Sequence, residues 1–100
     1  MHRDHPITDF QAVVGPTDQL IDVRQPDEVA TGTLPGAVNI PLDALPERLA
    51  QLDPGRRVVV LCRSGGRSTM ASELLTEAGF ADVVNLAGGM LAYGDSIDRL

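Results

Sequence analysis

One stretch of this chain constrains its fold more than any other: Val58-Val59-Val60-Leu61-Cys62-Arg63-Ser64-Gly65-Gly66-Arg67-Ser68. The Asp53-Pro54-Gly55 turn signal stands just before it. Four apolar residues in succession, without alternation and bounded by turn residues, describe a strand covered on both faces. Such strands belong to parallel sheets, whose crossover helices pack on each side. Met70, Ala71, Leu74, Leu75 and Ala78 follow at helical spacing, with Gly79 as the stop. The segment therefore reads as strand, glycine-rich loop and helix.

The rest of the chain repeats that alternation. Leu20-Ile21-Asp22-Val23, Ala37-Val38-Asn39-Ile40 and Val83-Val84-Asn85-Leu86 read as short buried strands, and Ile7 as the entry to a short edge strand. Between them, Phe10, Val13 and Val14 mark a short helix capped by Thr8 or Asp9. Pro26-Asp27-Glu28-Val29 marks one helical turn, and Leu42, Leu45, Leu49 and Leu52 a further helix. Gly88-Gly89 turns the chain into a last segment with Met90, Leu91 and Tyr93. The expected fold is α/β: a short parallel sheet of about five strands flanked by helices on both faces. Residues 1–6, polar and ending in proline, are expected as a flexible arm, and residues 7–100 as a single domain. In such sheets ligands bind at the carboxyl ends of the strands. Cys62, the Asp22-Val23-Arg24 stretch and Asn39-Ile40 are the strand ends that could face one pocket.

Composition narrows the function classes. The only aromatics are Phe10, Phe80 and Tyr93, so the core must be aliphatic. The net charge is −6 and every basic residue is arginine, which disfavours nucleic acid as a partner. An anionic ligand would have to be drawn in by specific arginines and backbone donors. A lone cysteine excludes an internal disulfide and a multi-cysteine zinc site, and no metal is expected. No signal pattern or membrane-length apolar run appears, so no membrane partner is expected. A reducing cytoplasm suits an unpaired thiol, and a monomer is expected.

Cys62 alone would read as a small buried hydrophobe. Its neighbours reverse that reading. A free thiol has a pKa of about 8.5 and is only a few per cent ionised at neutral pH. A loop from Arg63 to Ser68 can curl successive backbone N–H groups around the sulfur, and Gly65 and Gly66 allow the close approach this requires. Each hydrogen bond to a charged group is worth about 1.5–3 kcal/mol. The N-terminus of a helix starting near Arg67 or Ser68, and the charges of Arg63 and Arg67, add to that. The arrangement fits a cysteine that carries an anionic group between two substrates.

At this point the chain resembles a known family. Cys62-Arg63-Ser64-Gly65-Gly66-Arg67-Ser68 is similar to the active-site loop of the rhodanese family in its small single-domain form. Asp22-Val23-Arg24 with Glu28 resembles the family's Asp-Val-Arg…Glu signature. Gly32-Thr33-Leu34-Pro35-Gly36-Ala37-Val38-Asn39-Ile40-Pro41 resembles its Gly-His-Ile-Pro-Gly-Ala-x-Asn-Ile-Pro, and residues 86–93 its closing Gly-Gly…Trp. Thr33 and Tyr93 stand where the family commonly has His and Trp, positions that look structural. The resemblance implies a sulfurtransferase without metal or organic cofactor. Cys62 would take the sulfane sulfur of thiosulfate, or of a similar anionic donor, as a persulfide. It would pass that sulfur to a thiophilic acceptor such as cyanide, a thiol or a sulfur-accepting protein. Arg63 and Arg67 would hold the donor's oxyanions, and Ser64, Gly65, Gly66 and Ser68 would form the loop around the sulfur. The Cys-x4-Arg spacing differs from the Cys-x5-Arg of related phosphatases and arsenate reductases, and so favours sulfur over phosphate.

Other residues carry two readings each. Asp22 could orient a loop arginine or tune Cys62, but a strand-end hydrogen bond is preferred. Arg24 and Glu28, four apart, are expected to pair and pin the turn between them. Ser68 could donate to the sulfur or cap the helix. Besides sulfur transfer, the sequence admits a non-enzymatic binding or sulfur-relay module, a phosphatase or arsenate reductase disfavoured by the spacing, and a thiol redox switch.

Overall fold

The computed structural model describes residues 2–98; Met1, Arg99 and Leu100, the ends of the expected arm and domain, lie outside the described residues. Five parallel strands form one sheet: β1 (Arg3–Pro6), β2 (Gln19–Asp22), β3 (Val38–Asn39), β4 (Val58–Leu61) and β5 (Val83–Ala87), in the order β1-β5-β4-β2-β3. The helices are α1 (Phe10–Val13), α2 (Pro26–Val29), α3 (Gly66–Glu77) and α4 (Gly89–Asp98). The α/β architecture expected from the alternation is present.

β4 lies in the middle and is buried along its length, as its uninterrupted apolar run requires. Its side chains alternate between two cores. Val58 and Val60 join Ile21, Ala71, Leu75 and Val83 beneath α3, whereas Val59 and Leu61 join Ile7, Leu20, Val84 and Leu86 on the opposite face. Phe10 and Tyr93 pack on that second core with ring centroids 5.5 Å apart and planes at 75°, an edge-to-face arrangement. Each buried Val or Leu of β4 contributes about 1.5–3 kcal/mol of transfer free energy.

Four expectations need correction. The N-terminal segment is not a loose arm: Arg3–Pro6 pairs with β5 in parallel, Arg3 opposite Val84 and Pro6 opposite Ala87. Its polar sequence suits an edge strand, where most side chains face water and only the backbone of β5 must be satisfied. Ile7, expected to begin that edge, is instead buried in a 3-10 turn at Ile7–Asp9. The Leu42–Leu52 stretch forms two 3-10 turns, Leu45–Glu47 and Leu49–Gln51, in place of a helix. Pro46 removes a backbone donor there, and Leu45 is buried without a helix. Met70 leaves the expected apolar stripe of α3 and is 60% exposed.

The end of β2 is locked by charge. Asp22 is fully buried and accepts from Arg24 Nε (3.0 Å to Oδ1) and Nη2 (2.7 Å to Oδ2), from the Arg24 backbone N–H, and from Thr33 Oγ1. Arg24 Nη2 also donates to the Gly32 carbonyl at 2.7 Å. Asn39 of β3 donates to the carbonyls of Asp22 and Arg24, so it shapes this turn. Losing one partner of a buried ion pair costs about 3–5 kcal/mol, because the other charge is stranded. The acid inside the apolar strand is thus the counter-ion of a buried arginine, a pairing not expected from the sequence, and it also makes the expected strand-end hydrogen bond, to the Arg24 backbone N–H.

Candidate active site

Cys62 follows β4 directly, at the carboxyl edge of the sheet, and is 1% exposed. The chain then turns through Arg63, Ser64, Gly65 and Gly66 into α3. Gly65 adopts φ +107°, a conformation that L side chains rarely take and that turns the chain into α3, and its N–H donates to the sulfur, 3.0 Å from Sγ. Ser68, buried in the first turn of α3, places its Oγ 3.3 Å from Sγ. Burial pushes the Cys62 thiol up. Hydrogen bonds from the Ser68 hydroxyl and from the backbone N–H groups of Ser68, Gly65 and Ser64 outweigh it and hold the pKa below the ordinary thiol range. Of the expected run of N–H groups from Arg63 to Ser68, those of Ser64, Gly65 and Ser68 act on the sulfur, and only Gly65 of the two loop glycines takes a positive φ.

The carbonyls at the base of the loop need partners of their own. They face the start of α4, where the Met90 N–H donates to the Cys62 carbonyl at 2.8 Å and the Leu91 N–H to the Arg63 carbonyl at 2.9 Å. Gly89 makes this docking possible. It has φ +60°, and an added Cβ would collide with the backbone of Arg63 and Cys62. Sequence reasoning saw Gly88-Gly89 only as a turn. The pair of glycines was the visible signal, but what they approach is set by the tertiary fold.

The two loop arginines differ. Arg67 is held by Glu28 of α2 in a two-pronged ion pair, Nη1 to Oε1 at 2.6 Å and Nη2 to Oε2 at 2.8 Å. The expected Arg24–Glu28 pair does not form: Arg24 is taken by Asp22 and reaches Glu28 only through its carbonyl, at 3.4 Å. Asp22 makes no hydrogen bond to a loop arginine among the described residues; its carboxylate is taken by Arg24 and Thr33. Arg63 is exposed and makes no ion pair among the described residues. It borders an open groove of about 520 Å³ that Arg24, Glu28, Gly32, Met90 and Leu91 also line.

Residues 8–96 match the model of the rhodanese-like domain. The chain belongs to the rhodanese-like family. A sulfurtransferase of Allochromatium vinosum is 40% identical over 74 residues, 74% of this chain and 69% of that one. Among solved structures, a rhodanese-like domain protein of Staphylococcus aureus superposes with a TM-score of 0.82 at 30% identity, over 91% of this chain and 90% of that one. The human single-domain sulfurtransferase TSTD1 gives 0.71 at 28% identity, over 87% and 88%. The fold expected from the motifs is therefore the fold present, and sulfurtransferases stand among the relatives of this rhodanese-like chain.

Two predictions follow from the bracing of the loop. Gly89→Ala forces apart the backbones of α4 and the loop. It is expected to destabilise the protein by roughly 2 kcal/mol or more and to slow alkylation of Cys62 by iodoacetamide at neutral pH. Unchanged unfolding and alkylation would refute the bracing role. The second concerns pH. The Arg67 guanidinium first, and the Gln25 N–H next, pull Glu28 from 4.5 down to about 2. A carboxylate depressed in the folded state contributes stability that is present above its ordinary pKa and lost as pH falls through the folded one. Urea unfolding from pH 5 to 2 is expected to show a shallower loss of stability in Glu28→Gln than in wild type; parallel curves would contradict it.

Proposed function

We propose that this rhodanese-like protein is a sulfurtransferase that moves a sulfane sulfur from thiosulfate, or a similar anionic donor, to a thiophilic acceptor. The observation that carries the reading is a buried cysteine at a strand end whose sulfur lies 3.0 Å from the Gly65 N–H and 3.3 Å from Ser68 Oγ, contacts that favour its anion against burial. The Cys62 thiolate attacks the outer sulfur of thiosulfate. A sulfur–sulfur bond forms to Cys62, the donor's own sulfur–sulfur bond breaks, and sulfite leaves with the electron pair. The product is a persulfide whose terminal sulfur bears the charge that the thiolate gave up. Cyanide or a thiol then attacks that sulfur and restores the thiolate, so no oxidant, metal or cofactor enters the balance. The loop amides stabilise the anion on the enzyme in both half-reactions.

Arg63 is the cation proposed to meet the donor's oxyanions, because Arg67 and Arg24 already neutralise carboxylates. Arg67 serves as a positioning residue that ties α3 to α2. This division also weighs against phosphate transfer, in which the loop arginine itself must face the oxyanion. Met90 and the half-exposed Leu91, beside Arg63 at the groove, give a protein acceptor an apolar surface on which to present its thiol. A reducing cytoplasm is the compartment that suits this chemistry. The non-enzymatic alternative, a binding or relay module, predicts no multiple turnover.

Incubation with thiosulfate is expected to add one sulfur atom to wild type by intact-mass measurement and none to Cys62→Ser. Cyanide then yields thiocyanate over many turnovers. No mass gain in wild type would sink the reading, and a single turnover would favour the relay module. In steady-state assays, Arg63→Ala is expected to raise KM for thiosulfate by roughly two- to fivefold, as for a solvent-exposed charge pair, with a smaller change in kcat.

A further inference from the structure

Asn85 is a buried amide that sulfur chemistry at Cys62 does not explain. It lies in β5 among valines and leucine and is 3% exposed. Its Oδ1 has no hydrogen-bond partner among the described residues, a burial that costs about 1–3 kcal/mol. Its Nδ2 is fully used. One proton goes to Asp4 Oδ1 of β1 at 3.0 Å, the other to Thr69 Oγ1 of α3 at 3.1 Å. An ionised carboxylate only accepts, so Asp4 decides which end of the amide faces it. His2 Nε2 lies 3.3 Å from the same Asp4 oxygen.

With its acceptor side occupied by Asn85, the Thr69 hydroxyl turns its single proton to the Gly65 carbonyl at 2.7 Å. The Thr69 N–H donates to that carbonyl as well, at 3.0 Å. The third donor to the same oxygen is Ser68 Oγ, at 3.1 Å, and Ser68 Oγ is also the atom 3.3 Å from Sγ. A hydroxyl has one proton to give. When Cys62 is a thiol, its S–H donates to Ser68 and Ser68 donates to Gly65. When Cys62 is a thiolate, the Ser68 proton is needed on the sulfur, and the Gly65 carbonyl must release it. That release leaves the carbonyl two donors, the Thr69 N–H and the Thr69 hydroxyl, and the hydroxyl is the shorter contact.

We infer that Asn85 is a positioning residue for the nucleophile: by locking the Thr69 hydroxyl onto the Gly65 carbonyl, it frees the Ser68 proton to follow negative charge onto the Cys62 sulfur. The inference rests on the reading of Cys62 as a thiolate nucleophile. It gives the unpartnered Asn85 oxygen a reason, since the amide is oriented by its two donor contacts and its acceptor is left over. Arg67 is the charged side chain that couples to the sulfur, and Asp4 with His2 are the titratable groups facing Asn85. None of them changes in the variants below.

The test is the pH dependence of Cys62 alkylation by iodoacetamide, which reports the thiol pKa with no sulfur substrate present. Asn85→Leu and Thr69→Val are each expected to raise the midpoint by roughly 0.5–1 pH unit, the size of a weakened hydrogen bond to a charged group. Thr69→Ser keeps the hydroxyl and is expected to titrate as wild type. In a Ser68→Ala background Thr69→Val is expected to add no further shift, because the route runs through Ser68. An unmoved midpoint in Thr69→Val, or the same shift with and without Ser68, overturns the inference. If Asn85→Leu does not fold, the Thr69 arms decide alone. A wild-type midpoint in the ordinary thiol range would instead overturn the nucleophile reading, and this inference with it. A low wild-type midpoint that ignores Thr69 overturns this inference only.

Discussion

The site depends on which way two peptide groups face. At Cys62 and Arg63 the chain leaves the sheet, and the N–H groups that follow must turn toward the sulfur. The carbonyls of these two residues must then point elsewhere. A buried carbonyl without a donor costs about 1–3 kcal/mol, and one aimed at a thiolate would repel it. The Met90 and Leu91 amides at the start of α4 take both carbonyls, at 2.8 and 2.9 Å. The free N–H groups of one helix end thus satisfy the backbone of another segment. Gly89 lets the two backbones come close enough, and the ring of donors around Cys62 is held in place by a contact that never touches the sulfur.

Charge is divided as strictly as hydrogen bonds. The chain has eight basic residues against fourteen acidic ones. Most of the cations near the site are committed: Arg24 to Asp22 at the end of β2, and Arg67 to Glu28 across α2 and α3. Each pair ties two segments together, and each leaves its arginine with little net field to offer a ligand. Arg63, exposed at the rim of the groove, carries the charge that can still be offered. A cation without a carboxylate partner among the described residues thus lies one residue from Cys62.

Much of this was legible beforehand. The apolar run of β4, the glycines after Cys62 and the helical stripe of α3 announce strand, loop and helix, because local sterics and burial on both faces leave few alternatives. Pro26–Val29 forms the one helical turn expected of it. Pairings between distant residues were less legible. Spacing within a turn suggested Arg24 with Glu28, but tertiary packing offered each a nearer partner. The segment Arg3–Pro6 looked like an arm because its partner, the open edge of β5, lies some eighty residues away. The leucines at 42–52 had helical spacing, yet Pro46 and the shape of the core under β4 made 3-10 turns the better way to bury Leu45.

Short-range information sufficed for the layered α/β plan, for the place of Cys62 at a strand end and for the conformational freedom of the loop that follows it. These follow from short-range rules: apolar runs, glycine's access to positive φ, and helix-forming stripes. The folded arrangement settled which arginines are neutralised, which amides close the base of the loop and which hydroxyl lies beside the sulfur. Those outcomes depend on donors and acceptors far apart in the chain finding one another where water is excluded. There a single unmet polar group costs as much as a good contact gains.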